Sequence, residues 1–150
     1  MKRMFLLSVF CLLAGTGLPT ARGAEVFMDG HIDFAVSGSR MHIFIEDINN
    51  FSDTRTDRLR LRMWASEDRW RPDRKGLLLT STRIARLGPF GDFDDVDLSR
   101  PWHRPPSDLY YVTITLEERT FNEENVVEWV IRDAVEFNQQ YYFSDWDFPW

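Results

Sequence analysis

The stretch RLRLRMW, residues 58–64, alternates charged and apolar side chains with a period of two. Leu59, Leu61 and Met63 fall on one parity, and three arginines fall on the other. Successive side chains of a β-strand point to opposite faces of its sheet. The alternation therefore predicts a strand with its apolar side chains in a core and its arginines in water.

Six further segments are short and rich in β-branched and aromatic residues, a composition typical of strands. They are residues 32–36, 42–48, 77–87, 93–98, 110–116 and 126–137. Turn-forming pairs such as Gly88-Pro89 and Pro105-Pro106 separate them. Seven strands with this spacing predict an all-β fold, an antiparallel seven-stranded Ig-like β-sandwich. A helix is the alternative for residues 123–137, where the apolar residues also fall near helical spacing.

The first 24 residues have the anatomy of a secretory signal peptide: a basic start, an apolar run from Met4 to Ala14, and small residues near Ala24. The apolar run is shorter than the roughly 20 residues of a membrane-spanning helix. We therefore expect a secreted or periplasmic protein with no transmembrane segment after cleavage. The only cysteine, Cys11, lies in this segment, so the remaining chain is expected to form no disulfide.

The charge balance narrows the class of partner. The formal net charge of the whole chain is −6, and loss of Lys2, Arg3 and Arg22 with the signal peptide makes it more negative. A net-acidic protein does not bind nucleic acid through bulk charge. An anionic partner would have to meet a local basic patch.

Two motifs resemble known modules. LRLRMWA at residues 59–65 and PPSDLYYVTITLE at residues 105–117 look like parts of small secreted bacterial β-sandwich modules of the immunoglobulin or fibronectin type, most of which have no characterised function. The resemblance covers roughly residues 40–137 and implies a fold, not an activity. Tyr110, two residues before the inward Val112, is similar to the tyrosine corner of such folds, whose hydroxyl bonds back to the preceding connection.

Two arginine-rich segments, EDRWRPDRKG at 67–76 and SRPWHRPP at 99–106, hold a tryptophan among cations and prolines. Tryptophan and arginine are the side chains most enriched at binding hot spots. We therefore predict a ligand-binding surface in these segments, formed by Trp70, Arg71, Arg74, Trp102, His103 and Arg104. The alternative is that each tryptophan packs against the sandwich under arginine stems.

In an antiparallel sandwich, alternate connections lie at opposite ends. The connections near residue 38, Trp70 and Trp102 are then expected to share one basic, aromatic end, with an acidic end opposite. Such an end suits an anionic glycan, a lipid headgroup or an acidic protein surface. The function predicted is a noncatalytic binding or assembly module, without cofactor or metal.

Two other functions remain open on the sequence alone. The first is a small secreted hydrolase that uses His31, His42 and nearby acids, although no nucleophile elbow, phosphate loop or metalloprotease motif is present. The second is a small outer-membrane β-barrel, because alternating aromatic residues end the chain.

The domain boundaries expected are a sandwich at residues 25–137 and an aromatic tail at 138–150 that packs on it. In one version the tail folds back over the basic end. In another, Tyr141 and Phe143 complete the core, and only the last few residues are loose.

Overall fold

Seven antiparallel strands form two sheets in the computed structural model, which describes residues 25–74 and 76–144. The strands are β1 (Val26–Ser37), β2 (Arg40–Asn50), β3 (Leu59–Ser66), β4 (Leu77–Ile84), β5 (Asp92–Pro101), β6 (Asp108–Phe121) and β7 (Val127–Phe143). One sheet has the order β1-β2-β5, and the other has the order β4-β3-β6-β7. The predicted all-β, seven-stranded sandwich is confirmed.

The fourth strand distinguishes this strand order from the constant-type immunoglobulin sandwich. In the constant type, the fourth strand joins the sheet of the first, second and fifth strands. Here β4 pairs with β3 from Leu59–Ile84 to Ala65–Leu77, with one register shift between Met63 and Trp64. The sheet that carries the connection at residues 67–76 is therefore the larger one.

The core lies between the sheets and comes mainly from their central strands. Leu59, Leu61 and Met63 are fully buried, as their parity predicts. Equally buried apolar side chains surround them, from β6 beside β3 in the same sheet and from β2 in the opposite sheet, namely Val112, Ile114, Leu116, Met41, Ile43, Ile45 and Ile48. Burial of such side chains supplies most of the free energy that holds a cysteine-free sandwich together.

The helical alternative for residues 123–137 is wrong, because this segment lies in β7 and the turn before it. The pairing of β6 with β7 shifts register twice, between Tyr111 and Thr113 and between Leu116 and Glu117. The shift between Tyr111 and Thr113 moves the pairing by two residues and keeps the same parity of β7 on the core side, whereas the shift between Leu116 and Glu117 moves it by one residue and reverses that parity. The apolar residues therefore depart from strict alternation and imitate helical spacing.

The sequence places the end of the last strand too early. β7 continues to Phe143, so residues 138–143 belong to the sandwich. Phe143 is buried and Tyr141 packs against the core, as in the second version of the tail hypothesis. Residues 145–150, the rest of the predicted tail, and residues 1–24, the predicted signal peptide, lie outside the described residues.

The outer face of the four-stranded sheet is not the wet arginine face that the alternation suggested. Arg60 lies opposite Glu117 across β3 and β6 and donates two hydrogen bonds to it, at 2.8 and 2.5 Å. Its guanidinium also stacks on the Trp129 ring, 4.0 Å from the centroid. Glu117 is 0% exposed. Long arginine side chains and Trp129 of β7 cover this face and form a second, polar layer on it.

The prediction that the end opposite the basic, aromatic connections is acidic also needs correction. Glu117 and Glu118 form ion pairs with Arg60 and Arg132, and Asp57 is held by Arg86 and Arg119. Exposed apolar side chains share this end with them, including Phe51, Phe90 and Val126. The end opposite the candidate site is therefore mixed in character, with much of its acidity neutralised.

Candidate functional site

Three connections meet at one end of the sandwich, as the strand count requires: residues 38–39, 67–76 and 102–107. One of them is tied directly to another, because the Trp102 indole N–H donates to the Gly38 carbonyl at 3.1 Å. The backbone N–H of His103 donates to Leu79 of β4 at 2.7 Å. This end, here called the loop end, carries all six residues predicted to bind a ligand.

The β3–β4 connection bends over the outer face of its own sheet. Both of its anchors end on Glu136 of β7: the Trp70 backbone N–H donates at 2.5 Å, and Arg69 donates at 2.5 Å. Arg69 also lies over the Tyr111 ring, 4.5 Å from its centroid. The hydrogen bond with Glu136 is the main reason that the pKa of Arg69 is raised. Arg69 and Trp70 thus fasten the connection.

Trp70 is half-buried rather than displayed to solvent. Its indole Nε1 is buried without a hydrogen-bond partner among the described residues. Of the two interpretations of this tryptophan, its placement agrees better with packing against the sandwich.

Arg71 and Arg74 form the two ends of a tight turn. The Arg74 N–H donates to the Arg71 carbonyl at 3.0 Å, and the two residues form an isolated antiparallel bridge. Pro72 stands at the second position of this turn, where its fixed φ is favourable. Both arginine side chains are exposed, and neither forms an ion pair or hydrogen bond with another described residue.

A cavity of about 550 Å³ lies beside this turn. Among the residues that line it are Ser66, Glu67, Asp68, Arg71, Arg74 and Tyr110. Its volume is within the range of roughly 300–1,000 Å³ that small-molecule sites occupy. Gly76 closes the connection at φ +77°, and a Cβ there would lie 2.4 Å from the Ala65 carbonyl oxygen. Only glycine therefore brings the chain back to β4 along this path.

Tyr110 does not form the expected tyrosine corner. Its hydroxyl makes no hydrogen bond with another described residue, although the residue is buried. The ring packs on Phe143, with 6.0 Å between centroids, and the residue lines the cavity. Burial, followed by the charges of Asp108 and Glu67, raises the pKa of Tyr110, so its hydroxyl keeps its proton.

The β5–β6 connection builds a separate groove of about 440 Å³. Trp102 is half-buried and packs against Phe143 at 5.7 Å between centroids. The Arg104 guanidinium lies 5.6 Å from the centroid of the Trp102 ring, and its Nη1 donates to the Ser144 carbonyl at 3.1 Å. His103 is exposed and is not among the residues that line this groove or the cavity.

Four of the six predicted residues are distributed over two neighbouring concavities, and Trp70 and His103 line neither of them. Arg71 and Arg74 line the cavity, whereas Trp102 and Arg104 line the groove. The contribution of four further cavity residues could not be recognised in the loop motifs, namely Ser66, Glu67, Asp68 and Tyr110. A signal was available for the first three, because they follow directly on the predicted strand and precede the arginines.

The histidines of the hydrolase alternative do not share a site. The His31 ring packs against the Phe44 ring in a tilted arrangement, with 5.8 Å between centroids. The backbone N–H of His31 donates to the Glu46 carboxylate. His42 is four residues away from Glu46 along β2, which corresponds to about 13 Å of strand. In the part of the chain that the structure describes, no group of three or more His, Cys, Asp or Glu side chains is placed to hold a metal ion.

Comparisons with known proteins give no evidence of function. No protein-family model and no curated protein matches the chain. Solved structures with some similarity include beta-glucosidase 3B from Thermotoga neapolitana in complex with glucose (TM-score 0.40, 11% identity) and a beta-glucosidase from Kluyveromyces marxianus (TM-score 0.39, 14% identity). The similarity covers 80% of this chain but only 16% and 15% of those chains. At these scores it supports no inference about activity.

Residues 25–74 and 76–144 contain no helix that is both long and apolar enough to cross a membrane.

Proposed function

We propose that the protein is a noncatalytic module, secreted or periplasmic, that binds an anionic partner or assembles with it through the loop end. The observation that carries this proposal is the pair Arg71 and Arg74. The turn holds these two cations next to each other, and no described carboxylate neutralises either one. Like charges placed opposite each other repel, and an anion that binds between them removes that repulsion.

The groove supports the same proposal with a third cation, Arg104. Arg104 is exposed in part and lies against the Trp102 ring at the mouth of the groove. Arginine, which stacks on aromatic rings and presents a planar fork of donors, is well suited to recognise carboxylate and phosphate groups. Two concavities at one end, each with arginine in its lining, would give a partner two points of attachment.

The proposed localisation rests on the signal-like residues 1–24. The strand order, with β1-β2-β5 facing β4-β3-β6-β7, further supports assignment to the fibronectin-like branch of the modules that the sequence resembles.

Retention on immobilised dextran sulfate tests this function. We expect the purified protein to be retained on dextran sulfate but not on uncharged dextran, and to elute as salt rises, because exposed charges are screened. The variant R71Q/R74Q should elute at clearly lower salt. R55Q/R58Q is the matched control, because it removes two exposed arginines from the connection at the opposite end.

If the control and the loop-end variant elute at the same salt concentration, retention reflects charge in general, and the proposal is wrong. Loss of folding is checked by the unfolding midpoint of each variant, which should not change.

A further inference from the structure

The cavity holds charges of both signs that do not pair with each other. Glu67 and Asp68 line it together with Arg71 and Arg74, yet neither carboxylate forms an ion pair or hydrogen bond with another described residue. The remaining arginine of the cavity, Arg69, forms an ion pair with Glu136. The cavity therefore offers donors and acceptors side by side for a ligand.

These acceptors argue against a bare inorganic anion as the ligand. A sulfate or phosphate ion can accept hydrogen bonds from Arg71 and Arg74, but the carboxylates of Glu67 and Asp68 would repel it. A carboxylate only accepts hydrogen bonds. Its partner must be a donor, and a ligand hydroxyl is a donor that does not bring a second positive charge.

Two hydroxyl groups at the cavity have no partner among the described residues. Ser66 Oγ is buried and makes no hydrogen bond with any of them. The Tyr110 hydroxyl, on the neighbouring strand, makes none either. Both residues line the cavity, and buried polar atoms in native proteins nearly always have a partner, so we include both hydroxyls in the proposed binding site. A hydroxyl can serve a ligand as donor or as acceptor.

We propose that the cavity binds a sugar ring or similar polyol that carries one anionic group. This inference rests on the proposed function, since the anionic group is the charge that the loop end binds. Arg71 and Arg74 hold the carboxylate, sulfate or phosphate, and Glu67 and Asp68 accept hydrogen bonds from ring hydroxyls. Ser66 and Tyr110 complete the polar wall.

Two sources supply this chemistry. One is an acidic saccharide, free or at an exposed position of a polysaccharide, and the other is a phosphorylated inositol lipid headgroup. Their ring hydroxyls and anionic group are the same kind of ligand for the cavity, so the experiment must separate the sources.

The test is titration calorimetry of the purified protein with glucose 6-sulfate, glucose and inorganic sulfate as three separate probes. We expect glucose 6-sulfate to bind at least about tenfold more tightly than either of the other two, since it engages both sets of groups. R71Q/R74Q should abolish this advantage, and R55Q/R58Q should preserve it. E67Q/D68N should weaken binding of glucose 6-sulfate without weakening that of sulfate.

The double variant S66A/Y110F tests the polar wall without disturbing packing, because phenylalanine keeps the ring that contacts Phe143. We expect it to fold with an unchanged midpoint and to bind glucose 6-sulfate several-fold less tightly. Co-sedimentation with phosphatidylcholine vesicles, with and without phosphatidylinositol phosphate, identifies the lipid source if only the second vesicles capture the protein.

The outcomes separate this inference from the proposed function. If sulfate binds as tightly as glucose 6-sulfate, or if W102A/R104Q rather than R71Q/R74Q abolishes binding, the sugar-acid cavity is wrong while the anion-binding module stands. Retention on dextran sulfate without binding of glucose 6-sulfate also contradicts the cavity and leaves the module standing. Failure of both assays contradicts both proposals.

Discussion

Arg60 and Glu117 lie directly opposite each other on β3 and β6, and Arg60 Nη2 is 2.5 Å from Glu117 Oε2. The contact continues through side chains: Thr115 Oγ1 lies 3.2 Å from Glu117 Oε1, and the Trp64 indole N–H donates to Thr115 at 3.0 Å. A fully buried carboxylate on the outer face of a sheet thus depends on one arginine for most of its charge compensation. The second arginine nearby, Arg62, is 3.9 Å away.

Replacing Arg60 by methionine should destabilise the protein strongly. Removal of one partner from a buried ion pair leaves the other charge uncompensated, at a cost of about 3–5 kcal/mol in the free energy of unfolding. R60M/E117M should recover a large part of that loss, because it removes both charges. Urea unfolding of the two variants and of E117M completes the cycle. A loss of less than about 1 kcal/mol for R60M would mean that the pair behaves like an exposed surface pair.

Gly76→Ala should distort the return of the β3–β4 connection. The new Cβ would lie 2.4 Å from a backbone oxygen, and φ is +77°, where alanine is strained. Strain of this kind costs about 1–3 kcal/mol, and the cavity should lose its ligand affinity with it.

Two glycines serve as controls for this change. Gly38 has φ +56° with nothing within 4 Å, so G38A should show only the backbone penalty. Gly88 has open space, and its φ is not positive, so G88A should be close to neutral. Thermal unfolding should order the three variants G76A, G38A and G88A from most to least destabilised, and any other order contradicts the steric argument.

Asp57 should make the free energy of unfolding depend on pH. Burial alone would raise the pKa of Asp57, but hydrogen bonds from Arg119 and the Arg58 backbone, with the charges of Arg119 and Arg86, lower it below its ordinary value. The folded protein therefore binds this proton less readily than the unfolded chain. The stabilisation is present above the ordinary pKa and is lost as pH falls through the lowered value.

D57N removes this group from the titration. The difference in unfolding free energy between the native protein and D57N should be largest near neutral pH and should shrink on acidification below about pH 4. D53N, in the same connection but exposed, is the matched control and should change little at any pH. A difference that stays constant down to about pH 2 would show that Asp57 is not stabilised as its carboxylate.

Phe143→Ala should show that the end of β7 belongs to the core. Phe143 is 7% exposed and touches both Trp102 and Tyr110. Loss of a buried phenylalanine costs about 3–5 kcal/mol. Its neighbour Tyr142 is 66% exposed, and Y142A should cost less than about 0.5 kcal/mol. Similar unfolding midpoints for the two variants would mean that the strand end is not packed.

Much of the fold could be predicted from local pattern. The alternation at residues 58–64 and at 110–116 sets which side chains enter the core, because a strand has only two faces. The last strand was misjudged for two local reasons. Bulges against β6 interrupt its alternation, and Asn138-Gln139-Gln140 has the polarity of a loop, although those residues lie exposed on an edge strand.

The candidate site was only partly predictable. Arginine and tryptophan in loops can be recognised from the sequence, but which of them stay available to a ligand depends on partners far away in the chain. Arg69 pairs with Glu136 and Arg60 pairs with Glu117, and the two members of each pair are more than 50 residues apart in the chain. The cavity itself arises from the path of the connection over its sheet, which no local pattern contains.

The directions of the first and last strands determine how the sandwich would respond to a pulling force. β1 starts at the end opposite the cavity, and β7 finishes at the loop end, so the two strands run in the same direction in different sheets. A pull applied to residue 25 and to residue 144 would act along the strands and shear their ladders, so that many hydrogen bonds resist together.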